Sequence, residues 1–269
     1  MIRMHTYKFS SMSLARAFFI IILVLGLSAC VSTPEVAGAL KTPTKAKVGK
    51  SEKAMIHTQL AQSYMEKNQY ATAKSQLEKA LKLDSRHSMA NYVMALLMIK
   101  LEQFDDAERH FARSVSGNPE NSSAAHDFGV FLCQIGKPEK AIPNFEIAVS
   151  NPLFKRAELS YMRAGECLAD TDGVKAEQFL KKALGIDSGL APALLRLAMI
   201  KYKANNYLSA RAYVERYFAI TEPQPDSLLL AYKIESGMNA KSVADSYRTK
   251  LLNNFPGSKE ARSVREFDR

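Results

Sequence analysis

The chain of 269 residues carries 37 Lys+Arg against 27 Asp+Glu, a formal net charge of +10, with three cysteines and no tryptophan. Setting aside residues 1–29 removes Arg3, Lys8 and Arg16 and no acid, leaving 34 Lys+Arg and a net charge of +7. Much of that excess sits at Lys41, Lys45, Lys47, Lys50 and Lys53, where Glu35 and Glu52 are the only acids, and the basic residues are not interleaved with aromatics on a repeat face, which sets nucleic acid aside as a partner.

In chain order, the first 30 residues read as an export signal: scattered basic residues, an apolar run from Ala17 to Leu27, then small residues before a cysteine. A run of about 11 residues is too short to span a hydrocarbon core of roughly 30 Å as a helix. The junction Leu27-Ser28-Ala29-Cys30 is similar to a bacterial lipobox, in which Cys30 is acylated, palmitate being one such chain, and heads the mature protein. The alternative is an ordinary cleaved signal with an incidental cysteine. One chain, at about 0.8 kcal/mol per buried CH₂, anchors only marginally, so lasting attachment needs the several chains of a lipoprotein. Val31 and Ser32 follow with no Asp, as in lipoproteins forwarded to the outer membrane, so the expected address is its periplasmic face. Residues 30–53, rich in Pro, Thr, Lys and Gly, are expected to form a flexible tether, because few large apolar side chains are available to offset the entropy of ordering. A coil of about 23 residues reaches roughly 25 Å. A solvated spacer and an electrostatic contact with anionic lipid or a partner are both open for it.

Beyond the tether, Ala73, Ala107, Ala141, Ala176, Ala210 and Ala244 fall 34, 34, 35, 34 and 34 residues apart. A helix-turn-helix unit of about 34 residues cannot bury its own apolar face, so copies must stack into a solenoid with a long concave surface. This is the period of the tetratricopeptide repeat. The expected fold is all-α, a superhelix of six helix-turn-helix repeats over residues 54–256, with residues 257–269 a partial helix or frayed tail. Placing each marker alanine at position 20 starts the first repeat at Ala54, with Leu60, Ala61 and Tyr64 packing from helix A and Ala73, Leu77 and Ala80 from helix B. The second, from Ser88, uses Met94, Ala95, Ala107 and Phe111, and Pro119 stops its helix B. The third, from Ser122, carries Phe128, Gly129, Leu132, Gly136, Ala141, Phe145 and Ala148. In the fourth, Ala164-Gly165 precede Ala176 by one residue less than the equivalent pairs, so the turn around Asp170 to Gly173 is altered. The fifth, from Ala191, has Leu197, Ala198, Tyr202, Ala210 and Val214. The sixth, from Pro225, puts Tyr232 where a small residue is expected and Arg248 where an aromatic is, which fits a terminal cap.

Cys133 and Cys167 lie 34 residues apart on helices A of adjacent repeats. In an oxidising compartment such a pair reads as a candidate disulfide, with two buried thiols as the alternative. Equivalent positions on neighbouring helices lie about 8–10 Å apart at the axes, so a bridge depends on the phase shift in the fourth repeat.

Positions 2, 5, 9 and 12 of helix A face the groove of such a fold. In the first three repeats they are Met55, Thr58, Gln62, Met65, Met89, Tyr92, Leu96, Ile99, Ser123, His126, Val130 and Cys133. Seven of the twelve are Met, Tyr, Leu, Ile or Val, a strip suited to an amphipathic helix or hydrophobic segment because thioethers repack around varied shapes. The alternative is that several belong to the packing between helices A. Thr58 and Gln62 stand where a carboxylate clamp would need Lys and Asn. Later repeats are less apolar, with Lys203, Lys233 and Glu166 nearby, so the primary site is expected in the N-terminal half. His57, His87, His110 and His126 form no HExxH or paired Cys/His spacing, and there is no GxSxG or Gly-rich phosphate loop. We therefore expect a binding protein and not an enzyme, with no metal, cofactor or small-molecule substrate.

The stretch Phe128-Gly129-Val130-Phe131-Leu132-Cys133-Gln134-x-Gly136, followed by Ala141, Phe145, Ala148 and Asn151-Pro152-Leu153, resembles the PilF/PilW lipoproteins of type IV pilus biogenesis and stability. So do Ala164-Gly165-Glu166-Cys167, Ala210-Arg211-x-Tyr213-x-Glu215-Arg216-Tyr217 and Phe255-Pro256-x-Ser258-x-Glu260; His126-Asp127-Phe128 departs from an Asn-Asn-Tyr-like run. The resemblance implies a pilotin, an outer-membrane-anchored factor that binds secretin subunits of the pilus system and promotes their localisation and multimerisation. The alternative is a scaffold lipoprotein for outer-membrane barrel assembly or cell-wall synthase regulation.

Overall fold

The computed structural model describes residues 49–267; the segment 1–29, Cys30 and the tether up to residue 48 lie outside the described residues. Among the described residues there are thirteen helices and no strand. Six helical hairpins follow in order: α1 (Lys50–Glu66) with α2 (Tyr70–Leu83), α3 (Ser88–Lys100) with α4 (Phe104–Gly117), α5 (Ser122–Gln134) with α6 (Pro138–Ser150), α7 (Ala157–Leu168) with α8 (Gly173–Ile186), α9 (Ala191–Lys203) with α10 (Tyr207–Phe218), and α11 (Pro225–Gly237) with α12 (Lys241–Asn254). A last helix, α13 (Lys259–Phe267), packs on α11 and α12. First helices of successive hairpins touch one another, as α1 does α3, α5 does α7 and α9 does α11, whereas no pair of second helices is in comparable contact. The first helices therefore form the inner layer of the superhelix.

The marker alanines are all buried, Ala73, Ala107, Ala141, Ala176 and Ala210 completely. The reason for small residues on helix A is steric. A Cβ on Gly129 would stand 2.8 Å from the Phe145 ring, and one on Gly165 would stand 2.5 Å from Leu180 Cγ. Five of the six turns within hairpins use a left-handed residue, at Asn68, Glu102, Gly136, Asn205 and Asn239, with φ between 56° and 73°. The fourth hairpin lacks one. Its shortened turn closes instead with the N–H groups of Thr171 and Asp172 both donating to the Leu168 carbonyl, at 3.0 and 2.7 Å, and with the Asp172 carboxylate capping α8.

Three expectations need correction. Helix α1 begins at Lys50, so the last stretch of the expected tether, Lys50 to Lys53, is helical. Leu60 is 44% exposed, although its counterparts Met94, Phe128 and Leu197 are buried, because no described helix precedes α1 to cover that face. Of the two readings of the last residues, the helix holds and the frayed tail does not: Ala261 and Val264 of α13 are buried against Leu228 and Leu251, which corrects the reading of repeat six as the terminal cap. The sixth repeat is thus not the outermost layer, and α13 is the cap.

Candidate functional site

The inner face of the first three repeats carries most of the expected strip. Met65 on α1, Met89, Tyr92, Leu96 and Ile99 on α3, and Val130 on α5 are half-buried, resting on the core while leaving an apolar surface, and Met55 and Gln62 are exposed. Thr58 and His126 are not surface residues. Thr58 shares the buried stripe of α1 with Ala54 and Ala61, about one turn away on either side, and its hydroxyl donates to the Ala54 carbonyl at 2.8 Å. His126 is 6% exposed because Phe145 and Phe154 close over its ring, at centroid distances of 5.9 and 6.0 Å, and its Nδ1 is 2.6 Å from Ser160 Oγ. Burial holds its imidazole below the ordinary range, and Arg156 and Arg163 act in the same direction against the opposing Asp127.

Asp127, noted in the sequence only as part of a run that departs from the family pattern, is half-buried on α5. The Tyr92 hydroxyl donates to its carboxylate across α3 and α5. Burial first, and then this hydrogen bond, push the Tyr92 phenol far above its ordinary value. Cys133 and Cys167 are joined in a disulfide with Cα atoms 5.6 Å apart, linking α5 to α7 on the inner layer. That spacing is within the usual range for a disulfide, and the bridge joins the third repeat to the one whose turn is one residue short.

Farther along, two adjoining cavities of about 400 and 310 Å³ open between α9, α11 and α13. Their walls include Leu195, Met199, Tyr202, Leu229 and Tyr232, so the later repeats are more apolar on this face than Lys203, Lys233 and Glu166 suggest. Two of those charges are paired, Lys203 with Asp170 at 2.7 Å and Glu166 with Arg163 at 2.8 Å, although Lys203 still lines the smaller cavity. The register that selected the N-terminal strip gives Pro192, Leu195, Met199 and Tyr202 in repeat five and Asp226, Leu229, Lys233 and Ser236 in repeat six, so the apolar signal was present in the fifth repeat and mixed with polar residues in the sixth. Among the described residues no group of three His, Cys, Asp or Glu is placed to hold a metal ion.

Tandem helical hairpins with small residues at the crossings and an apolar inner face define a tetratricopeptide-repeat scaffold. The family model "Anaphase-promoting complex, cyclosome, subunit 3" matches residues 44–114. The type IV pilus assembly protein PilF of Pseudomonas aeruginosa is 23% identical over 246 residues, covering 91% of this chain and 96% of that protein. The crystal structure of PilW, a widely conserved type IV pilus biogenesis factor, superposes with a TM-score of 0.64 and 30% identity over 78% of this chain and 97% of that one. A structure of Pseudomonas aeruginosa PilF gives a TM-score of 0.64 at 21% identity, over 81% of this chain and 98% of that one. The chain belongs to the PilF/PilW family of type IV pilus biogenesis proteins.

Proposed function

We propose that this protein is a pilotin: a lipoprotein held at the outer membrane through Cys30 that binds secretin subunits along the inner face of α1, α3 and α5 and promotes their multimerisation for pilus biogenesis. The observation that carries the reading is the run of half-buried apolar side chains from Met65 to Val130 on that face, in a member of a pilus-biogenesis family. A soluble monomer has little reason to leave such a surface uncovered. Physically, the lipid fixes the scaffold at the membrane, the segment behind Cys30 gives it reach, and the strip shields a hydrophobic part of the subunit until neighbouring subunits cover it.

The test is Leu96→Lys, whose side chain is partly solvent-facing, so the new ammonium reaches water and the fold persists. Circular dichroism should match the parent, while secretin recovered with the variant and secretin multimers in cells both fall. Unchanged recovery by a folded variant overturns the assignment. Altered barrel-protein levels with normal secretin multimers in a deletion strain would favour the barrel-assembly scaffold instead.

A further inference from the structure

The first hairpin has an uncovered side, and the residues there are chemically specific. Ile56 and Leu60 on α1 are 48% and 44% exposed, whereas at the same repeat positions Ala90, Ala124 and Ala193, and Met94, Phe128 and Leu197, are buried. Ser63 stands at the position of the buried Leu97, Phe131 and Ile200, so this side is not built to receive one more helical repeat. With 3.6 residues per turn, Lys50, Lys53, Ile56, His57 and Leu60 fill one continuous arc of about 120° around α1, and Glu52 lies about 200° from Lys50. Across the hairpin α2 adds Lys79 and Lys82, which line a cleft of about 440 Å³ with Lys50, His57 and Leu83, and no acid is among its walls. The other acids of the hairpin lie elsewhere. Glu66 is at the far end of α1, Glu78 lines a separate cleft with Met94 and His110, and the Asp84 carboxylate accepts from the Arg86 N–H. Lys50, Lys53, Lys79 and Lys82 are exposed and in no ion pair among the described residues, in contrast to Lys137 and Lys140, which share Glu108.

Four unpaired ammonium groups beside two uncovered aliphatic side chains suit an anionic surface with an apolar interior just beneath it. Like charge argues against two other occupants. A second copy meeting this side about a two-fold axis would set the four lysines against themselves, and the residues just before α1 bring Lys41, Lys45 and Lys47. Lys50 follows Cys30 by 20 residues, so under the lipoprotein reading, on which this inference rests, the first hairpin starts within about 70 Å of the bilayer, at no more than about 3.5 Å per residue. We propose that the uncovered side of α1 and α2 is a second membrane contact, in which Lys50, Lys53, Lys79 and Lys82 meet the phosphates of anionic phospholipids while Ile56 and Leu60 enter the headgroup layer. The contact orients the scaffold by placing its first hairpin against the headgroups.

The test uses the chain from residue 30 onward, which keeps every described residue, with Cys30→Ser so that no acyl chain contributes. At about 0.1 M salt it should bind vesicles of phosphatidylcholine containing about one-third phosphatidylglycerol about tenfold or more better than phosphatidylcholine alone. Lys79→Gln/Lys82→Gln should weaken that binding about thirtyfold, the loss expected for two lysines at such a surface. Ile56→Ser/Leu60→Ser should weaken it while keeping the preference for anionic vesicles. Lys155→Gln/Lys241→Gln, which removes the same charge at exposed positions beyond the first repeat, should bind like the parent, and all variants should keep the parent's helical spectrum. Equal binding to the two vesicles overturns the proposal, as does a Lys79→Gln/Lys82→Gln chain that binds like the parent or no worse than Lys155→Gln/Lys241→Gln. Release by inorganic phosphate beyond that by chloride of equal ionic strength would assign the cleft to free phosphate, and tighter capture by polyglutamate than by vesicles would assign it to an acidic protein; either result also overturns it. Palmitate labelling of Cys30 in cells reads the anchor separately, so a failed anchor and a failed contact are distinguishable.

Discussion

Removing the cross-link between α5 and α7 is the most informative perturbation of the scaffold. The bridge closes a loop with a sequence separation of 34, and the chain-entropy relation gives about 3–4 kcal/mol of stabilisation through the unfolded state. Both cysteines are half-buried, so replacing them with alanine leaves little sealed void and adds at most about 1 kcal/mol. In a urea titration with a slope of about 2 kcal/mol per molar, the Cys133→Ala/Cys167→Ala chain should unfold about 1.5–2.5 M earlier than the oxidised parent. The parent measured with reductant should shift by nearly the same amount, because both treatments release the same loop. A reduced parent whose midpoint does not move would refute the reasoning. A double variant far weaker than the reduced parent would instead locate the effect in packing at the two side chains.

Three further perturbations address other parts of the structure. Gly129→Ala places a methyl 2.8 Å from the fully packed Phe145 ring and should cost about 1–3 kcal/mol in chemical denaturation; a neutral result would mean that α5 and α6 separate freely. Arg211→Met removes both donors to Glu235, a carboxylate only 3% exposed that Arg211 Nε reaches at 2.7 Å, and should lower stability by about 3 kcal/mol, with recovery when Glu235→Leu is added. Stability should also fall on acidification. Burial depresses the His126 and His110 pKa values below the ordinary 6.5, so the unfolded chain binds protons first. The stabilisation is therefore complete above about pH 6.5 and is lost as pH drops through that value toward the folded pKa. Melting curves between about pH 7.5 and 5.5 should show the decline, and His126→Gln should flatten it; an unchanged slope in that variant would exclude His126 as a contributor.

The alanine ruler made the six hairpins legible because position 20 is where two helices of one repeat cross, and only a small side chain fits there. The gap of one residue before Ala176 likewise exposed the altered turn, since a left-handed residue recurs in every other hairpin. Burial of individual groove positions was harder to read. Thr58 and His126 occupy inner-face register, yet Thr58 lies in the buried stripe of α1 with Ala54 and Ala61, and Phe145 and the loop residue Phe154 cover His126; neither is encoded in the spacing. Arg211 belonged to a recognisable motif, but its partner Glu235 lies one repeat later and carries no local signal. The clefts near α13 were missed for a different reason. Lys203 and Glu166 count as bare charges in sequence, whereas in space Asp170 and Arg163 pair with them. Tyr232, which looked like a misfit at a small-residue position, turns out to be a wall.

The apolar interior is unevenly distributed along the stack. One cluster runs from Ala61 to Ile200, while the interior around α11 and α12 is divided into smaller groups. The covalent staple falls inside the long cluster. Under tension, such a stack should fray from the carboxyl-terminal hairpins inward and halt at the stapled pair, so the third and fourth hairpins stay joined while the far end yields as a compliant spring.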